Sequence, residues 1–290
     1  MPKIKIVTDA ACDISLKNEE LYDIEVIPFT INVNGEAYNS RTELDNTEFY
    51  EMLDDTDDVP TTEPISSFVF GELFGELFYQ GYTDVIYIAV NSNGSESYYN
   101  SIQAKDQFFE DIPEASGNFN IYCIDSLSYS AGIGLAVVEA AKMADRGEES
   151  IAIVKYLRSH AESIALCFGL YSLKYAKKSE KIPTVTAGVG EIIGIRHILT
   201  VSDGELNCIS KVLGDASVIP AITENVLNNI VPKSPYCIIY GEDADEKAAI
   251  TSALTKALGY PPTDAYRISP VIACHTGSEV TGVAFRQKKP

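Results

Sequence analysis

Short apolar, β-branched runs alternate with amphipathic stretches through the first half of the chain, the rhythm of strands buried between helices. Lys3 to Val7 reads as a strand ending in Thr8-Asp9, and Cys12 to Leu21 as a short helix. Glu25 to Val33 is β-rich, and Asn34-Gly35 signals a hairpin returning through Glu36 to Tyr38. Asp45 or Asn46 caps a helix ending near Leu53. From Ser66 to Gly81, Phe70, Leu73, Phe74, Leu77 and Phe78 recur at helical spacing, a stripe that belongs to the core. Asn120 to Ile124 is a further strand, Tyr129 to Arg146 an Ala-rich helix whose Gly132 and Gly134 allow close packing on the sheet, and Ser150 to Ala161 another helix.

Near Ser163 the pattern changes. Ile195 to Val201 and Glu205 to Ser210 flank the turn Ser202-Asp203-Gly204, an antiparallel hairpin. Helix Ala216 to Ile230, strand Cys237 to Tyr240, helix Asp245 to Leu258 and strand Ala265 to Ile268 follow. A last strand, Val271 to Ala273, is read as running into His275-Thr276-Gly277. The expected fold class is α/β: an N-terminal Rossmann-like domain with a parallel sheet, residues 1–162, and a C-terminal α/β domain with antiparallel strands, residues 163–290.

The stretch from Val85 to Phe109 offers candidate chemistry: strand Val85 to Val90, the loop NSNGSES, and a helix over Ser101 to Phe109. Gly94 permits a tight turn, and Ser95 and Ser97 can cap the helix while its first N–H groups face outward, an arrangement suited to an anion. A second polar turn, Thr61-Thr62-Glu63-Pro64, presents two hydroxyls on a proline-stiffened backbone. Such turns also occur simply as helix caps; two facing each other make a socket.

Charge narrows the partners. Against 22 Lys and Arg stand 42 Asp and Glu, a net −20, which repels phosphate backbones and anionic lipid surfaces and argues against nucleic-acid binding or stable membrane insertion. Local donors must therefore hold any anionic ligand. The six cysteines are scattered without a CxxC pair and read as reduced core thiols. The three histidines, His160, His197 and His275, show no metal-ligand spacing. His160 reads as solvated. Asp9 and Asp125 at strand ends read as caps rather than cation ligands. The opening MPKIKIVTDA is already a strand and lacks signal-peptide character, so the expected location is the cytoplasm.

The segments TDAACD (Thr8 to Asp13), TTEP (Thr61 to Pro64), VNSNGSES (Val90 to Ser97), IDS (Ile124 to Ser126) and CHTG (Cys274 to Gly277), in that order, resemble the DegV family; IGIRHIL and SDGE extend the match into the second half. The resemblance implies a fatty-acid-binding protein with no cofactor, its ligand a long-chain fatty acid such as palmitate buried between two domains. It implies that Thr62 and Ser95 hold the carboxylate, with His275 and Arg196 in the same neighbourhood, and, as in some members, a fatty acid kinase as partner. The chain departs from the family pattern where S-G-T is Ser95-Glu96-Ser97, G-G-R-I is Ser179-Glu180-Lys181-Ile182, H-T-G-P-G is His275 to Glu279, and K-P is Arg196-His197. Lipid binding is thus better supported than handover to that kinase.

Two other classes compete. A serine esterase would use Ser95 as nucleophile and His275 as base, but G-x-S-x-G is missing, with Asn93 and Ser97 at the glycine positions, and Glu96 opposes developing negative charge. Nucleotide binding lacks both G-x-G-x-x-G and G-x-x-x-x-G-K-[ST]. The only basic cluster, Lys174, Lys177, Lys178 and Lys181, is either a solvated face or a docking face for an acidic partner.

Overall fold

The computed structural model describes residues 2–56, 58–178 and 194–288. Strands β1 (Ile4–Asp9), β2 (Glu25–Ile27), β6 (Asp84–Ala89) and β7 (Asn120–Asp125) form a parallel sheet in the order β2-β1-β6-β7. Every residue of β6 is buried, as expected for a parallel strand covered on both faces. The order reverses direction between β1 and β6, so their carboxyl ends, at Asp9 and Val90, open on the crevice where such sheets take ligands.

A smaller antiparallel sheet joins β3 (Thr30–Val33), β4 (Glu36–Asn39) and β5 (Thr61–Glu63) in the order β4-β3-β5. Asn34 and Gly35 both take positive φ, 54° and 81°, the two-residue turn that the sequence signals. β5 corrects the sequence reading, since Thr61 to Glu63 is an edge strand rather than a turn, with Thr62 opposite Ile31. Alternation along it exposes Thr61 and Glu63 and turns Thr62 inward.

Helices α1 (Leu16–Leu21), α2 (Asn46–Asp55), α3 (Ser67–Tyr79), α4 (Ser97–Asp111), α5 (Ala131–Asp145) and α6 (Ser150–Ala161) complete this half. The expected helix over Cys12 to Leu21 is divided into a 3₁₀ turn, Ala10–Cys12, and α1, because Asp13 adopts a left-handed conformation at φ 55°. On α3, Phe70, Phe74 and Leu77 are buried, while Leu73 and Phe78 pack at the core's edge. α5 is held close by its glycines: a Cβ on Gly134 would meet the Cys12 carbonyl oxygen at 2.7 Å and Tyr266 at 2.6 Å.

The remaining strands form one six-stranded sheet, β10-β9-β8-β13-β11-β12: β8 (Ile164–Leu170), β9 (Ile195–Ser202), β10 (Glu205–Leu213), β11 (Tyr236–Tyr240), β12 (Asp264–Arg267) and β13 (Val280–Arg286). Only β11 and β12 pair in parallel. Helices α7 (Lys174–Lys178), α8 (Val218–Asn229), α9 (Ala244–Leu258) and α10 (Pro270–Thr276) accompany it. One continuous apolar cluster runs from Ile6, Tyr87 and Val137 in the first half to Leu166, Ile239 and Val271 in the second, so the halves share a core.

The sequence misreads the last twenty residues. Val271 to Ala273 belongs to α10, with Ser269 extended before it and Pro270 in the first turn, where a missing N–H and a fixed φ suit a helix start. A short apolar run cannot by its periodicity tell strand from buried helix. The strand is instead β13, central and buried but interrupted by Gly282. A Cβ there would meet the Cys167 carbonyl oxygen at 2.8 Å.

Candidate functional site

A cavity of about 100 Å³ lies between the parallel sheet's carboxyl edge and the six-stranded sheet. On the same scale one water occupies roughly 10 to 15 Å³, so the space is several waters' worth. Ala11, Phe29 and Val90 wall it from the first half; Leu166, Phe168, Leu206 and Ile239 wall it from the second. Ile268, Val271 and Ile272, at and just before the start of α10, close it with Val280. Among the described residues, no lysine or arginine lines it.

Three of the four site residues read from the sequence line this cavity: Thr62, Ser95 and His275. Thr62 Oγ1 lies 3.2 Å from His275 Nε2, joining β5 to the last turn of α10. His275 therefore reaches the site from a helix, not from a strand end as the sequence suggests. Ser95 Oγ lies 3.0 Å from Ser97 Oγ, and the Ser97 hydroxyl oxygen accepts the Ile65 N–H at 3.0 Å. Asn100 Nδ2 donates to the Ile65 carbonyl at 2.9 Å. These bonds hold the Ser95 turn against the chain just beyond Thr62. Ser97 is fully buried in doing so and is spent on structure; Glu96, the N-cap residue of α4, makes no side-chain capping bond, but the Ser95 hydroxyl oxygen accepts the Ser97 N–H at 3.3 Å.

Arg196 does not join them. Its Nε donates to Asp215 Oδ1 at 2.5 Å and its guanidinium stacks over Tyr171, outside the cavity lining. The segment Ser179 to Ile182, with Lys181 of the basic cluster, lies outside the described residues. Lys174 donates to the Thr56 carbonyl at 3.1 Å.

The sequence does not single out Tyr129 and Ser130, which also line the cavity. Tyr129 packs so closely over Gly94 that a Cβ there would lie 2.3 Å from its hydroxyl, which makes Gly94 necessary for a contact rather than for a backbone angle. Asn91 Nδ2 donates to the Tyr129 hydroxyl at 3.2 Å and to the Gly204 carbonyl at 2.8 Å, and Asn93 Nδ2 reaches the same carbonyl at 3.1 Å. The β9–β10 turn is thereby docked on the Ser95 loop, which places Leu206 in the wall. Ser130, at φ 49°, donates its hydroxyl to Asp13.

Two buried carboxylates support the floor. Asp9 accepts from Val90 N at 2.8 Å, Tyr87 Oη at 2.9 Å and Ala11 N at 3.2 Å, tying the ends of β1 and β6 together. Burial raises its carboxyl to about 6 although those bonds pull the other way. Asp13 accepts from Ser130 on one side and from Ser269 N at 2.9 Å on the other, just ahead of α10, and burial raises it to about 7. Asp125 accepts from Ser92 N and Leu127 N, the capping role expected of it. Among the described residues no cluster of His, Cys, Asp and Glu is arranged to hold a metal ion, and the six cysteines are unpaired thiols. No helix among those residues is long and apolar enough to cross a membrane.

Of the polar groups around the cavity, Ser130 and Thr276 have their hydroxyls committed to Asp13 and to the Ile272 and Gly277 carbonyls. Thr62 and His275 bond to each other, and Ser95 to Ser97, at the polar side of the lining. An apolar slot with a few neutral donors suits an amphiphile with one small polar end. Comparison with known proteins bears on this: a model of the DegV family, described as uncharacterised, matches residues 3–288. The chain belongs to the DegV family.

Its DegV relatives include a DegV domain-containing protein of Caldanaerobacter subterraneus subsp. tengcongensis, 29% identical over 290 residues, 99% of this chain and 100% of that one. Among solved DegV-like structures, a stearic acid-binding protein from Eubacterium ventriosum matches with a TM-score of 0.87 at 24% identity across 99% of both chains. A DegV family protein from Eubacterium eligens, loaded with heptadecanoic acid, matches with a TM-score of 0.83 at 19% identity, across 98% of this chain and 100% of that one. At these identities the likeness is one of fold.

Proposed function

We propose that the chain binds one long-chain fatty acid in this cavity, between a domain of residues 1–162 and one of residues 163–290, and acts in the cytoplasm as a carrier rather than an enzyme. The observation that carries the reading is the cavity itself: apolar side chains from both halves, with Thr62, Ser95 and His275 as polar groups and, among the described residues, no lysine or arginine in its lining. An acyl chain gains ~0.8 kcal/mol of gross transfer free energy per buried methylene, on the order of 11 kcal/mol for about 14, once the walls move apart beyond the space of about 100 Å³ present to admit them. That term sets affinity. Each charge-assisted bond from a hydroxyl or imidazole to the carboxylate adds about 1.5 to 3 kcal/mol net, offsets desolvation and fixes which end faces out. Neutral donors hold the head without trapping it, which suits release to an acyl-processing partner of the fatty acid kinase kind.

Ser95 Oγ pairs with Ser97 Oγ while His275 Nε2 pairs with Thr62 Oγ1, an arrangement that does not favour the esterase alternative. Mass spectrometry of an organic extract of the purified protein tests the proposal directly. A saturated or monounsaturated long-chain acid at near one equivalent is expected, reduced severalfold in Thr62→Ala with Ser95→Ala. An extract without lipid, or an undiminished load in the double variant, overturns the ligand or the head-group assignment respectively. Hydrolysis of p-nitrophenyl esters that disappears in Ser95→Ala would restore the enzyme reading.

A further inference from the structure

The acidic surface holds one groove with a different character, between α3 and α4. It is lined by Phe68, Gly71, Gly75 and Tyr79 along one helix and by Gln103, Gln107, Asp111 and neighbouring residues of the other. Phe68 and Tyr79 are 74% and 76% exposed, two large aromatic side chains lying eleven residues apart, about 16 Å along a helix. Between them the glycines leave bare backbone, with nothing within 4 Å of where a Cβ would stand. Glu72, Glu76 and Asp111 also line the groove and, among the described residues, no lysine or arginine does. Gln80 donates to Glu76 at 2.8 Å and Gln107 to Asp111 at 3.0 Å, which steadies two of the three carboxylates.

Apolar anchors at the two ends, a floor that admits close approach and uncompensated negative charge along the sides are complementary to one kind of occupant. We propose that this groove docks a basic amphipathic helix of a partner protein, about three turns long, with apolar residues against Phe68 and Tyr79 and lysine or arginine facing Glu72, Glu76 and Asp111. Its position gives the docking a purpose. α3 begins five residues after Thr62 and α4 two residues after Ser95, and the Ile65–Ser97 and Asn100–Ile65 bonds clamp the two helix starts together. A protein seated there stands beside the polar end of the cavity; that purpose, though not the docking, rests on the function proposed above.

Fluorescence anisotropy with a dye-labelled lysine–leucine amphipathic helical peptide at 0.15 M salt tests the groove on the full chain. Phe68→Ser with Tyr79→Ser, which leaves charge unchanged, is expected to weaken binding at least tenfold, and Glu72→Gln with Glu76→Gln about tenfold. Glu20→Gln with Glu51→Gln, the same charge change elsewhere on the exposed surface, is expected to alter it less than twofold. Equal losses at the remote pair, equal binding of a same-composition peptide whose leucines form no face, or no loss in the groove variants overturns the proposal. So does flotation with phosphatidylcholine vesicles that the aromatic variant abolishes while the peptide fails to bind, since that assigns the face to lipid. Circular dichroism confirms that each variant is folded. Lipid content measured on the same samples separates the two readings: groove variants keep their fatty acid, and an empty protein that still binds the peptide sinks only the ligand.

Discussion

Gly94 and Thr62 show how single positions set the site. Thr62 points inward because β5 alternates, so Thr61, identical in chemistry and next in the chain, is excluded by pleat alone. Gly94 is fixed by Tyr129 above it. Gly94→Ala forces that ring to move, which is expected to cost about 1 to 3 kcal/mol of stability and to reduce lipid retention. Tyr129→Phe in the same background removes the nearest atom and should recover part of the loss; equal denaturation midpoints for wild type and Gly94→Ala would contradict the contact. The residues that present themselves to a ligand were legible in the sequence as hydroxyls and an imidazole in polar segments. Those that hold the cavity's shape were not: Ser130 and Asp13 carry no local signal for positive φ, and their partnership joins positions 117 residues apart. Arg196 was misleading because an arginine's partner, here Asp215, is a matter of tertiary structure. His160, which reads as solvated, is half-buried and bonds the Gly132 carbonyl at 3.0 Å.

At the scale of elements, strong periodicity was readable and short apolar runs were not. The doubly wound first half, the Asn34-Gly35 and Asp203-Gly204 turns and the long helices of the second half follow their patterns, whereas α10 is read as a strand and β13 is not read at all. The reason is that a seven-residue helix containing Val271 and Ile272 and a central strand holding Gly282 each run against local propensity, and packing decides. The docking of one element on another also escapes the sequence. Asn91 spans from the Ser95 loop to the β9–β10 turn, and Asn91→Ala leaves the buried Gly204 carbonyl with only Asn93. Hydrogen exchange of the 202–206 backbone is expected to quicken at least tenfold in that variant, with faster lipid release; unchanged exchange would show that the hairpin is held by other contacts.

Across the whole molecule, buried titratable groups make stability depend on pH in a direction opposite to ordinary acid lability. Asp9 and Asp13 are raised from 3.8 to about 6 and about 7, so the folded protein binds their protons where the unfolded chain does not, and stability falls as pH rises toward those values. His160 is lowered from 6.5 to about 4 by burial, so between those values the unfolded chain binds the extra proton and stability rises with pH. At about 1.4 kcal/mol per unit per group, the sum from pH 5 to 7.5 is a net loss of about 2 kcal/mol. Asp13→Asn should abolish that loss. Urea midpoints at the two pH values check it, and a wild-type protein more stable at pH 7.5 would refute the balance.

A void of about 100 Å³ spanning both halves has its own price when nothing fills it, on the order of 2 kcal/mol at roughly 24 cal/mol per Å³. On the function proposed above, cargo serves as a keystone in the space that both halves wall. Stripping the lipid is then expected to lower the melting temperature by several degrees, while the shared core keeps the halves together.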